Sequence, residues 1–200
     1  MIISDNFIFV RVPRTASSSL EAALNKYHIT KYDQICKFPK KHKTLIRNHI
    51  TAPTFKKDNE SIWKEKIKFA FVRNPYDRIV SYYYYYHYKC GHYSFEEFVK
   101  KFVQEKATLG SLPRGAHWNL QHKWLCDEKG NLIVDYVGKF ESLNEDLFTI
   151  CNKINIDVPK LKHLKNSKRK RAYGEFYNDK TRKIVSEACA KDFELFGYQK

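Results

Sequence analysis

Apolar residues fall along the chain in two alternating periods. Asn6 to Val12 (NFIFVRV) is an unbroken β-branched and aromatic run ending at Pro13, and it predicts a buried strand. From Ser17 to Tyr27 the spacing lengthens, placing Leu20, Ala23, Leu24 and Tyr27 on one helical face. Ser17 or Ser18 would cap that helix, with Glu21 in capping-box register to Ser18. A second strand, Ile67 to Val72, stops at Asn74-Pro75 and passes into a helix over Tyr76 to Tyr88, with proline suited to its first turn. Phe95 to Gln104 reads as an amphipathic helix. Residues 105–130 are irregular, and the turn Asp127 to Asn131 leads into a strand over Leu132 to Val137. Ser142 to Ile154 reads as a helix opened by a Ser-Leu-Asn-Glu capping box. Lys160 to Arg171 is a basic loop without period, and Asn178 to Phe196 is one long final helix. Strands separated by helices predict an α/β fold with a central, mainly parallel sheet flanked by helices, in a single domain over 1–200.

Composition supports a packed core, with 42% hydrophobic and 16% aromatic residues. No apolar run is long enough to span a bilayer, and the N-terminal segment lacks the pattern of a signal peptide. Cys36, Cys90, Cys126, Cys151 and Cys189 are widely spaced, odd in number and without a CxxC pair. The expectation is a reduced, cytoplasmic setting. The net charge of +15 would attract polyanions, including nucleic acid, an anionic glycan or a multiply phosphorylated cofactor. Charge alone does not choose among them.

The loop after the first strand, Arg11-Val-Pro-Arg-Thr-Ala-Ser-Ser-Ser-Leu20, narrows the choice. In an open α/β sheet, a helix N-terminus at a strand's carboxyl end is a ready anion site. Arg14 adds a permanent charge there, and Thr15, Ser17, Ser18 and Ser19 add hydroxyl donors. No glycine precedes Gly91, which excludes a Walker loop or GxGxxG fingerprint at this place. The alternative is a well-capped helix with Arg14 on the surface. In the second unit, Phe69-Ala-Phe-Val-Arg-Asn-Pro-Tyr-Asp-Arg-Ile-Val-Ser-Tyr82, Arg73 leaves the strand end as Arg14 does, and Ser81 follows two helical turns later. Two anion-binding strand ends suggest a ligand with phosphates at both ends.

The pair RVPRTASSSL and FVRNPYDRIVSYYY resembles the 5′-phosphosulfate and 3′-phosphate loops of the carbohydrate sulfotransferases, the group of heparan 2-O- and chondroitin sulfotransferases and their bacterial relatives. The likeness extends to His49-Ile-Thr-Ala, Val137-Gly-Lys-Phe-Glu-Ser-Leu143 and Asp192-Phe-Glu-Leu-Phe-Gly-Tyr198. It implies a P-loop-like three-layer fold, 3′-phosphoadenosine 5′-phosphosulfate (PAPS) as donor and 3′-phosphoadenosine 5′-phosphate (PAP) as product. Arg14, Thr15, Ala16, Ser17, Ser18 and Ser19 would cradle the 5′-phosphosulfate. Arg73 and Ser81 would hold the 3′-phosphate, and Lys168 and Arg169 would belong to a basic segment closing over the donor. Many members carry lysine where this chain has Arg14. A guanidinium keeps its proton and binds oxyanions as a planar fork, so donor binding is expected and proton donation there is left open.

Sulfuryl transfer needs positioning, charge stabilisation on the leaving group, and a base for the acceptor proton. His49 matches the family's base; the alternative is a surface or helix-cap histidine, with His42 as second candidate. Arg14 joins His49 as a catalytic candidate. No metal is expected: His87-x-x-Cys90-x-His92 and His117-x4-His122-x3-Cys126 lack standard zinc spacing. Tyr82 to Tyr86 reads as helix surface and core, or as an aromatic sugar platform. Trp118 and Trp124 lie in the irregular segment, and Glu141 after a strand end could serve as a positioning carboxylate and is left outside the catalytic set. The expected partner is a carbohydrate acceptor, for which an anionic glycan would suit the positive surface, with no specific nucleic acid and no membrane span. The competing readings are a non-catalytic polyanion or nucleic-acid binder, which lacks a recognisable module, and a kinase-like phosphotransferase, which lacks the Walker lysine.

Overall fold

A computed structural model describes residues 1–32, 36, 50–90, 93–104, 120–162, 169 and 171–200, with backbone alone for 86–90. In chain order the elements used below are β1 (Ile2–Ile3), β2 (Phe7–Val10), α1 (Ser17–Leu24), α2 (Ala52–Asp58), α3 (Glu60–Glu65), β3 (Ile67–Val72), α4 (Pro75–Cys90), α5 (Phe95–Phe98), α6 (His122–Leu125), β4 (Tyr136–Lys139), α7 (Leu143–Lys153), α8 (Asp179–Ala188) and α9 (Ala190–Leu195). Contacts divide the chain into two compact units, one of Met1–Val72 with Gln121–Leu164 and the other of Arg73–Leu120 with Lys165–Lys200.

The first unit is a sheet with helices packed on it. Strands run in the order β1-β2-β3-β4; β1 pairs antiparallel to β2, while β2, β3 and β4 are parallel. This mainly parallel sheet is the one the alternation of strands and helices predicts. The continuous run Phe7-Ile-Phe-Val10 is buried at every position, as a central parallel strand covered on both faces must be. Phe7, Phe9, Phe69 and Phe71 point one way and form a core with Leu20 and Leu24 of α1 and Leu147, Ile150 and Cys151 of α7. Lys68 points the other way, and its ammonium lies 5.7 Å from the ring centroid of Trp63 on α3.

Several sequence expectations shift in this unit. The strand expected over Leu132 to Val137 is instead β4, Tyr136–Lys139, because β3 selects the register. Phe69 pairs with Tyr136, and Asp135 just before it exchanges bonds with Lys68, donating its N–H to the Lys68 carbonyl and accepting the Lys68 N–H. Residues near Leu132 instead turn back on Cys126. The turn at 127–131 is as expected: Asp127 accepts the Asn131 N–H and Gly130 sits at φ 88°. Ser142 makes no capping box with Glu145. Its hydroxyl donates to Asp146, which also accepts the Lys139 N–H, so one carboxylate ties the end of β4 to α7. Helices α2 and α3 have no counterpart in the sequence reading, since Ala-Pro-Thr-Phe-Lys-Lys-Asp and Glu-Ser-Ile-Trp-Lys-Glu carry too few apolar residues to show a period.

The second unit is helical. Asn74 starts α4 by accepting the Tyr76 N–H through its side chain. Ser94 and Glu97 form a capping box at α5, which runs on as a wider π-turn over Val99–Gln104. Asn178 caps α8 through the Thr181 N–H. The single long helix expected over Asn178 to Phe196 is two, α8 and α9, broken at Cys189. Tyr76, Ile79, Tyr82, Phe98, Val185 and Phe193 are in its core. Tyr82 is buried, Tyr83 packs edge-on to Phe95 and Phe98, and Tyr84 packs edge-on to Phe176, so these three tyrosines join the packing of this unit. Among the described residues, no helix is long and apolar enough to cross a membrane.

Candidate active site

In the first unit, the segment between β2 and α1 is held at both ends. Arg11, 3% exposed, donates through Nη1 to the Glu21 carboxylate on α1. Burial pushes the Arg11 pKa down from its ordinary value, and the charge and hydrogen bond of Glu21 oppose that shift. Glu21 therefore serves Arg11, not a capping box with Ser18. Thr15, 1% exposed, locks the loop by donating its hydroxyl to the Val12 carbonyl at 2.9 Å.

The backbone between these anchors is unusual. Arg14 (φ 68°) and Ala16 (φ 60°) both lie in the left-handed region without being glycine. Each such residue costs about 1–2 kcal/mol, so the surrounding contacts must impose the shape. The N-cap of α1 is Ala16, not Ser17 or Ser18, and no side chain caps this end. The first turn carries no acidic residue. A left-handed residue before a helix turns successive N–H groups to one side, and a helix start adds the positive end of the dipole. Arg14, Ser17, Ser18 and Ser19 bring their donors to this same short segment, with Ser17 and Ser19 buried and Arg14 and Ser18 half-buried. Such an arrangement can hold a compact oxyanion.

In the second unit, Arg73 is the residue immediately after β3 and is 6% exposed. Its Nε donates to Oδ2 of Asp77 at 2.8 Å, while Arg169 donates through Nη1 to the other oxygen, Oδ1. Arg73, expected at the 3′-phosphate, and Arg169, expected in the segment closing over the donor, thus meet on one carboxylate. Ser81, 3% exposed, lies one helical turn beyond Asp77 on the same face of α4. Next to it, Arg78 is 1% exposed, stacks over the Tyr82 ring and donates to its hydroxyl at 3.2 Å. Asp77 escaped the sequence reading, and Glu21 was read there as a capping-box residue only. The Arg73–Asp77 spacing of four was the available signal for the first. Nothing local marks Glu21 as the partner of an arginine ten residues earlier.

His49, His42, Lys168 and Trp118 lie outside the described residues. Trp124 is a core residue of α6 at 2% exposed, and Glu141 is exposed after β4. Among the described residues, no group of three or more His, Cys, Asp or Glu side chains could hold a metal ion.

Comparison with known proteins bears on this geometry. The model of the sulfotransferase family (Sulfotransfer_2) matches residues 2–199. The chain belongs to that family. Among solved structures, mouse sulfotransferase SULT7A1 complexed with PAP is similar in fold, with a TM-score of 0.54 at 14% identity, over 93% of this chain and 84% of that one. No curated protein matches in sequence. The sulfotransferase therefore has the three-layer α/β fold expected of its two loops, and membership supports transfer of a sulfuryl group as its chemistry.

Proposed function

We propose that this sulfotransferase moves a sulfuryl group from PAPS to a hydroxyl of a carbohydrate, acting as one catalytic domain over 1–200 without a metal, and releasing PAP. The observation that carries the reading is the β2–α1 segment: left-handed Arg14 and Ala16, an uncapped helix start, and hydroxyls from Ser17 to Ser19. Arg14, Thr15, Ala16, Ser17, Ser18 and Ser19 take the 5′-phosphosulfate, and Thr15 also shapes the segment through its bond to Val12. Arg73 and Ser81 take the 3′-phosphate, and Lys168 and Arg169 belong to the segment that closes over the donor, a reading supported by the two guanidiniums gathered at Asp77. The PAP complex of the fold neighbour agrees with this donor.

In the reaction, the acceptor oxygen forms a bond to sulfur as the bond from sulfur to the 5′-phosphate oxygen breaks. His49 takes the acceptor proton, and Arg14 with the α1 N-terminus stabilises the negative charge left on the phosphate. A sulfuryl group carries less charge than a phosphoryl group, so cationic side chains suffice for this stabilisation. The carbohydrate acceptor and a cytoplasmic setting complete the reading; the acceptor rests on the resemblance of the loops, and the buried thiols Cys151 and Cys189 suit a reducing compartment.

The test is a thermal-shift titration with PAP beside ATP and ADP with magnesium. A ligand binding only the folded state stabilises by about 2.7 kcal/mol at 100 times its Kd. Selective stabilisation by PAP is expected, lost in Arg14→Ala and Arg73→Ala. His49→Ala should keep the shift and lose turnover on glycan acceptors. A preference for ATP, or turnover unchanged in all three variants, would refute the proposal.

A further inference from the structure

We propose that Asp77 is a positioning residue that gives the sulfotransferase its preference for a 3′-phosphorylated donor; this inference rests on the donor reading above. Asp77 is 5% exposed, and its two oxygens accept from two different guanidiniums. One belongs to Arg73, four residues earlier in sequence, and the other to Arg169, ninety-two residues later. A carboxylate in the first turn of a helix is favoured by the helix dipole alone. That explains an acid at the start of α4, but not why two arginines converge on it.

The cluster of one carboxylate and two guanidiniums carries a net charge of one positive unit. Arg73 meets Asp77 along its Nε edge, which turns the opposite edge of its planar fork away from the carboxylate. Arg169 meets it through Nη1. Two like charges that would repel one another are thus held side by side, with their side-chain entropy already spent before a ligand arrives. The segment around Arg169 is further tied down on its C-terminal side. Phe176 packs against Tyr84, and the Tyr177 hydroxyl donates to the Tyr76 carbonyl at 2.8 Å. Asp77 also opposes the ligand, because its negative charge repels a phosphate. Orientation outweighs that repulsion here, since each guanidinium hydrogen bond to phosphate depends on a fixed planar fork.

PAP and 5′-AMP differ only in the 3′-phosphate, so the ratio of their dissociation constants isolates this cluster. Calorimetric titration of wild type should show a strong preference for PAP. Asp77→Asn should reduce that ratio about tenfold, the scale of one charge-assisted hydrogen bond, with AMP affinity retained. A ratio taken on one preparation is insensitive to the folded fraction, so a purely structural role would leave it unchanged. An unchanged ratio, or tighter PAP binding by Asp77→Asn, would overturn the proposal. If Asp77→Asn shows no cooperative unfolding, Asp77→Glu carries the test. It keeps the charge and moves the carboxylate by one methylene, so a drop of about threefold or more supports the proposal and an unchanged ratio overturns it. A wild type that does not distinguish PAP from AMP would instead overturn the donor reading, and this inference with it.

Discussion

Replacing Glu21 by glutamine removes one negative charge from the strut that joins the end of β2 to α1 while keeping an acceptor oxygen in place. Arg11 has a side chain only 4% exposed, against 32% for Glu21, so the guanidinium rather than the carboxylate bears the consequence. Removing one partner of a fully buried ion pair costs roughly 3–5 kcal/mol, because the remaining charge is left uncompensated. Water reaches one side of this pair, and the amide oxygen still accepts, which reduces the figure to about 1.5–3 kcal/mol. For a chain of this length that corresponds to a fall of about 3–12 °C in Tm. Glu60→Gln is the control. Its partner Lys64 lies four residues on, both side chains are more than half exposed, and its removal should leave Tm unchanged. Circular-dichroism melts of wild type and both variants decide the matter. Equal Tm values for Glu21→Gln and Glu60→Gln would refute the idea that burial of Arg11 makes the strut matter.

Two further predictions follow from packing and burial. A Cβ at Gly138 would lie 2.5 Å from Cε1 of Phe71 and 3.0 Å from Cβ of Asp146. Phe71 is fully buried and Asp146 ties β4 to α7, so Gly138→Ala should cost about 1–3 kcal/mol in urea unfolding; a loss under about 0.5 kcal/mol would show that β4 yields freely. Burial, helped by the charge of Asp192, pushes the Cys189 thiol from its ordinary 9.0 up to about 12. The unfolded chain therefore ionises first as pH rises, and the thiol's contribution is full below pH 9 and declines toward pH 12. The stability gap between wild type and Cys189→Ala should narrow above pH 9 by up to about 1.4 kcal/mol per pH unit, and a gap constant from pH 7 to about 10.5 would contradict this.

Local pattern located the elements best where one residue type repeats at one period. Phe7–Val10 is apolar on both faces and Ile67–Val72 is so apart from Lys68 near its start, so any parallel partner suits them, and both were readable. Tyr136–Lys139 was misplaced by four residues at its start because Leu132, Ile133 and Val134 are as strand-like as Tyr136 and Val137, and only pairing with β3 separates them. The break at Cys189 was hidden for a similar reason: Val185, Cys189 and Phe193 keep one apolar face across it.

The chemistry divides along the same line. Arg14, Thr15 and three consecutive serines after a strand, and Arg73 at a second strand end, are adjacent in sequence to the elements that present them. Residue type and order therefore sufficed to single them out as anion-binding candidates. Tertiary structure decided which side chains serve those residues. Ser18 and Glu21 could satisfy a capping box locally, but Arg11, buried in the fold, requires a counter-charge, and Glu21 supplies it while Ala16 takes the N-cap. Asp77 likewise could have been an ordinary first-turn carboxylate until Arg169 reached it across ninety-two residues. A buried charge must find a partner wherever the fold brings one, and that demand has no period in the sequence.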